Sequence, residues 1–171
     1  MEVAPQVKRV AYMFSPKASP YAHFYYESAV AAAEKRGVRV EMTPVTEPAE
    51  IERTFANIDS DGGMIVNPDA FINYNLGLVI DLAARHRVPA IYGNAGGVAK
   101  LGALIVYNLD LLDHYRQAGK YVERILKGEN PADLAVQQPT KFQFAINLKT
   151  AKALGLAVPQ PLLIGADEVV E

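Results

Sequence analysis

The sequence predicts an α/β protein: a Rossmann-like or flavodoxin-like three-layer sandwich around a mostly parallel sheet. Three observations predict it. Strand-like and helix-like patterns alternate four times between residues 7 and 92, and only a few residues connect one to the next. Such short connections join parallel strands through crossover helices, which places helices on both faces of a sheet. The chain is 171 residues long and 50% hydrophobic, enough for one domain to bury a sizeable core.

The elements follow in order. Residues 7–14 (VKRVAYMF) are a short apolar run and read as a buried strand. Residues 15–20 form a loop, with Ser19 placed to cap a helix and Pro20 at its first position. That helix runs from Tyr21 to Lys35 and stops at Gly37. Residues 38–45 are a second strand, and residues 47–58 a helix opened by Thr46 and Pro48. Residues 63–66 (GMIV) are a third, fully apolar strand, followed by the loop Asn67-Pro68-Asp69-Ala70. A third helix covers 72–86, and a fourth strand 89–92 (PAIY). Beyond it a Gly-rich segment leads into a long helix from Leu109 to Leu126. An extended stretch, a short helix (LKTAKALGL) and a Pro-punctuated tail complete the chain. These divide one α/β lobe, residues 1–171, into a core at 7–108, a helix at 109–127 and a returning part at 131–171.

Composition excludes several function classes. The formal charge is −2 with both signs scattered, so there is no basic stripe for nucleic acid. The absence of cysteine removes disulfides, thiolate metal sites and cysteine nucleophiles. The N-terminus lacks the charged-then-apolar pattern of a signal peptide, and no apolar run approaches the roughly 18 residues of a membrane span.

In an open parallel sheet, ligands bind beyond the carboxyl ends of the strands, where loops and helix N-termini converge. Three loops qualify, and they bring hydroxyls (Ser15, Ser19, Tyr21), a carboxylate (Asp69), amides (Asn67, Asn94), a phenol (Tyr92) and the flexible Gly93. This set can hydrogen-bond a small polar solute and stack on a ring. Blander roles stand beside each: capping alone accounts for Ser19 or Asp69, core packing for Tyr92, and a turn for Asn94. The three histidines, His23, His86 and His114, lie on separate predicted helices without metal-ligand spacing. No nucleophile elbow, GxGxxG or GxxxxGK[ST] pattern occurs. The reading is a binding cleft with no catalytic residue, metal or cofactor.

The C-terminal segment carries a more specific pattern. PADLAVQQPTKF at 131–142, INLKTAKALGLAVPQPLL at 146–163 and ADEVVE at 166–171 closely resemble the ending of the ABC transporter substrate-binding proteins. LAARHRVPAIYG and HYRQAGKYVERILKGENPADL resemble them too, so the likeness covers nearly the whole chain. Ala135 and Gln137 depart from the family's usual Pro and Glu.

The resemblance implies a type I periplasmic-binding-protein fold, in which two α/β lobes close over a solute, with this chain as the C-terminal lobe. It implies a small-molecule solute, a transporter permease as partner of the full-length protein, and a periplasmic or membrane-anchored extracytoplasmic location, with the cytoplasm as the alternative for the chain as given. By the same resemblance Ser15 and Ser19 belong to the first cleft loop, Asp69 to the second, and Tyr92 to Asn94 to the third. Where members often carry Phe-Arg-Glu-Phe, this chain has Asn94-Ala95-Gly96-Gly97, which removes an Arg able to clamp a carboxylate.

In this fold the helix from Leu109 to Leu126 packs on the first lobe. Its residues Leu112, Tyr115, Ala118, Gly119, Val122, Ile125 and Leu126 mark one apolar face. Left uncovered, that face predicts a homo-oligomer. The alternative class is a stand-alone oligomeric interaction or regulatory module that has lost transport.

Overall fold

The computed structural model describes residues 2–94 and 96–171. Seven strands form one sheet in the order β2-β1-β3-β4-β5-β6-β7. The first five, β1 (Arg9–Phe14), β2 (Arg39–Pro44), β3 (Gly62–Val66), β4 (Ala90–Tyr92) and β5 (Ile105–Leu109), run parallel. β6 (Phe142–Asn147) returns antiparallel to β5, and β7 (Glu168–Val170) pairs parallel to β6. The 2-1-3-4-5 order is the flavodoxin-like winding, whose direction reverses between β1 and β3. The expected α/β class holds.

Helices cover the sheet unequally. One face carries Met13, Met64, Val66, Ala90, Tyr92, Val106 and Ala145. Against it pack α2 (Pro48–Ala56), through Ile51 and Phe55, and α4 (Leu76–Arg85), through Val79, Ile80, Leu82 and Ala83. The three- and four-residue spacing of those side chains is what makes each segment a one-sided helix. On the opposite face a second buried cluster lies over β1, β2 and β3. There α1 (Ala22–Glu34) brings Ala22, Tyr26, Val30 and Ala33 onto Tyr12, Phe14 and Val40.

Several boundaries differ from the sequence reading. The third helix is two, α3 (Ala70–Tyr74) and α4, with Asn75 standing between them. The Gly-rich segment hides a 3-10 turn (Gly96–Leu101) and the fifth strand, β5. The long helix, α5 (Leu111–Leu126), begins two residues later than expected, because Asp110 caps it by accepting the Asp113 N–H at 3.1 Å. The short helix is α6 (Leu148–Ala153), capped by Asn147, and the tail folds into α7 (Gln160–Ile164) and β7. The tail's strand, β7, lies two strands beyond β5, at the edge of the sheet farther from β1 and β3.

Candidate functional site

The loops after β1 and β3 meet at the point where the sheet reverses direction. The Asp69 carboxylate holds them together. One oxygen accepts the Ile72 N–H at 2.9 Å and so caps α3, while the other accepts the Ser15 N–H at 2.8 Å from the neighbouring loop. Asn67 donates to that second oxygen at 3.4 Å and accepts from the Tyr12 hydroxyl at 2.9 Å. Burial, then the adjacent Tyr25 phenol and the Asp69 carboxylate, push the Tyr12 hydroxyl up to about 12.

The loop after β4 docks on this pair. The Gly93 N–H donates to the Val66 carbonyl at 3.1 Å. A Cβ at Gly93 would lie 2.8 Å from the Pro68 ring, so only glycine lets the two loops come this close. Asn94 donates through Nδ2 to the Asn73 side-chain oxygen. Tyr92 is 1% exposed and packs in the core beneath the loop, where burial pushes its hydroxyl upward. Of the alternatives open for Tyr92, packing is the one the structure displays.

Ser19 corrects an expectation. Tyr21, not Ser19, is the residue before α1, and no side chain caps the helix. Three tight backbone bonds in the loop, Ala18 and Ser19 to the Ser15 carbonyl and Ala22 to the Ser19 carbonyl, turn the Ser19 side chain inward. It is 1% exposed, and its Oγ has no hydrogen-bond partner. The other unpartnered buried side-chain oxygen among the described residues is Asn94 Oδ1, with Asn94 5% exposed. Buried polar atoms are nearly always satisfied, so two orphans on the loops after β1 and β4 mark this edge as unusual.

Exposed aromatics rim these polar loops. Tyr21, Phe24 and Tyr25 stand out from the start of α1, with Tyr21 and Tyr25 edge to face at 6.3 Å, and Tyr74 projects from the end of α3. Of the residues expected from sequence, Ser15, Ser19, Asp69, Gly93 and Asn94 lie on the three contiguous loops and Tyr21 on their rim. Tyr12, Asn73, Phe24, Tyr25 and Tyr74 were not expected. Tyr12 and Asn73 sit inside a strand and a helix whose periodicity reads as packing, and only the closed loops bring them to the site.

The edge can donate and accept hydrogen bonds and offer ring faces, but its carboxylate is already engaged. Among the described residues, no three His, Asp or Glu side chains group as a metal site would. His23, His86 and His114 are exposed and separate. Among the described residues no helix is long and apolar enough to cross a membrane.

The model of the family described as ABC transporter substrate binding protein matches residues 1–170. No curated protein matches significantly. Among solved structures, an ABC domain from Streptococcus pneumonia in complex with L-Trp is 25% identical, with a TM-score of 0.86 over 99% of this chain and 57% of that one. A conserved domain protein from Vibrio cholerae shares the fold at 23% identity and TM-score 0.85, over 98% and 56%. A ligand-free, open substrate-binding protein with adhesive properties from Clostridium difficile shares it at 22% and 0.72, over 98% and 56%. The chain spans a little over half the length of each. Its match along nearly every residue is decisive: the chain belongs to the ABC transporter substrate-binding protein family.

Proposed function

We propose that this chain grips a small polar or aromatic solute at the carboxyl edge of its sheet and performs no chemistry on it. The observation that carries this is the pair of buried, unpartnered oxygens, Ser19 Oγ on the loop after β1 and Asn94 Oδ1 on the loop after β4, which flank the loop after β3. Polar groups on a bound solute would satisfy them. Tyr21 and its aromatic neighbours offer a ring to stack on. Asp69 and Ser15 hold the loops in place, Gly93 lets them close up, and Tyr92 supports them from below. The L-Trp carried by the Streptococcus relative agrees with a solute that pairs polar groups with a ring.

In the same reading the chain is one lobe, residues 1–171, of an import system's solute receptor. It works outside the cytoplasm, delivers to a membrane permease, and associates with itself through α5. Differential scanning fluorimetry against amino acids, nucleobases and aromatic acids tests the binding. A concentration-dependent rise in Tm that Ser19→Ala reduces is expected. No shift with any of the three classes overturns the reading.

A further inference from the structure

Asn73 touches the site without belonging to any of its three loops. It stands near the end of α3, whose start the Asp69 carboxylate caps through the Ile72 N–H, and its own N–H donates to the Asp69 carbonyl at 2.8 Å. β3 and β4 pair with Val66 beside Tyr92, and the Gly93 N–H reaches the Val66 carbonyl. The loop after β4 is thereby brought beside the loop that leads into α3. There the Asn73 side-chain oxygen accepts a proton of Asn94 Nδ2. Asn73 is itself exposed, whereas Asn94 is buried.

That contact decides the polarity of Asn94. A primary amide has an oxygen, which only accepts, and an amino group, which only donates. With the amino group turned to Asn73, the end of Asn94 left over is Oδ1, and it has no partner. Ser19 Oγ, the second unpartnered oxygen, accepts as well as donates. Backbone donors of this edge are meanwhile engaged: the N–H groups of Ser15, Ser19, Asn67, Asp69 and Gly93 all go to protein oxygens. Lys17, the one basic residue of the three loops, is exposed, while the Asp69 carboxylate is buried. Unmet acceptors beside engaged donors favour a solute that donates.

We propose that Asn73 is a positioning residue that sets the polarity of this edge: by holding the Asn94 amino group it presents Asn94 Oδ1 to the solute, so the group seated there carries an N–H. The solute class is an amine or amide joined to a ring, and this lobe disfavours a carboxylate or ketone in the same place. The inference rests on the solute-binding reading above and names the chemistry that reading leaves open. An Asn94 amide turned the other way round would point its amino group at the solute and select the opposite class.

Isothermal titration calorimetry tests this with four probes that share one ring and one linker. Phenethylamine and hydrocinnamamide donate hydrogen bonds from the head group; hydrocinnamate and benzylacetone only accept them. Hydrocinnamamide and benzylacetone are both neutral and nearly the same shape, so in that pair charge plays no part. The donating probes are expected to bind the wild-type chain about tenfold tighter than the accepting ones. Asn73→Ala should erase that preference while leaving Tm without solute close to wild type, because the residue is exposed. Asn73→Asp should keep the preference for hydrocinnamamide over benzylacetone, since a carboxylate accepts the Asn94 amino group as the native amide does. A role confined to folding would instead lower Tm and weaken all four probes alike. Wild-type binding of benzylacetone as tight as that of hydrocinnamamide overturns the proposal and leaves solute binding standing. A preference that survives Asn73→Ala overturns the part given to Asn73. Silence from all four probes overturns the proposal even where the wider Tm screen finds a solute, and only a blank screen overturns the solute-binding reading too.

Discussion

The Asp69 carboxylate accepts the backbone N–H of Ser15 at 2.8 Å, across the boundary between the loops after β3 and β1. That single contact joins two segments 54 residues apart at the point where the sheet changes winding direction. A side chain that caps one helix thereby sets the floor of the candidate site.

Removing it should therefore cost more than an ordinary cap. Asp69→Ala strands two buried N–H groups, those of Ser15 and Ile72, and each carries about 1–3 kcal/mol of desolvation. A loss of about 2–4 kcal/mol is expected in urea unfolding. Asp69→Asn keeps one acceptor and should lose less. A loss for Asp69→Ala no larger than that of an ordinary cap, about 1 kcal/mol, would mean the inter-loop bond contributes nothing beyond it.

Ser19 should behave in the opposite way. Its hydroxyl is buried without a partner, so Ser19→Ala removes a desolvated group at little packing cost. Tm without solute should stay level or rise, while calorimetric affinity for any solute found by screening falls. A large drop in Tm would show that the hydroxyl is satisfied in the free protein.

Tyr12 gives an alkaline limb. Its hydroxyl is held up at about 12 by burial, against the ordinary value of 10.0. The unfolded chain then releases this proton first. The Tyr12 contribution to stability is complete below pH 10, declines as pH rises through the folded value, and is constant above it. Tyr12→Phe should flatten the fall in unfolding free energy over that window, and should lose the Asn67 hydrogen bond at every pH.

At acid pH the ends of α5 should loosen together. The Lys141 ammonium, followed by the Asp113 N–H, holds the Asp110 carboxyl below its usual range, and Arg124 does the same for Glu129. Depressed carboxylates contribute above their ordinary range, and that contribution disappears as pH falls through their folded values. The helical signal of α5 should fray as pH drops below the carboxylate range. Asp110→Asn should make Tm less dependent on pH there.

Core and helix face should separate cleanly. Phe55 is fully buried between α2 and the sheet, so Phe55→Ala should cost about 3–5 kcal/mol. Leu112→Ala, at an exposed position, should change the stability of the isolated chain by no more than about 0.5 kcal/mol. Chemical denaturation at low protein concentration distinguishes the two.

Short-range chemistry made much of this fold legible. The run VKRVAYMF became β1, GMIV fell within β3 and PAIY ended in β4, because apolar runs between turn residues have few other ways to be buried. The C-terminal wording carried the family, and the match over residues 1–170 agrees with it. Where propensity was ambiguous, legibility stopped. β5 was lost behind GNAGGVAKLGA, since glycines upstream mask a five-residue strand, and Glu168–Val170 is too short to announce itself. Ser19 matched a cap in type and place, yet hydrogen bonds to the Ser15 carbonyl close the loop before the helix can use it.

Sequence alone settled the alternation of strands and helices, the apolar stripe on α5 and the polar character of the loops, because each is a property of neighbours along the chain. Only the tertiary structure decided that Asp69 joins two loops, that Ser19 and Asn94 hide unpartnered oxygens, and that α5 points its stripe away from its own sheet. Those depend on which strands lie side by side and which faces the crossovers leave bare. Winding order fixes both, through contacts between residues far apart in the chain.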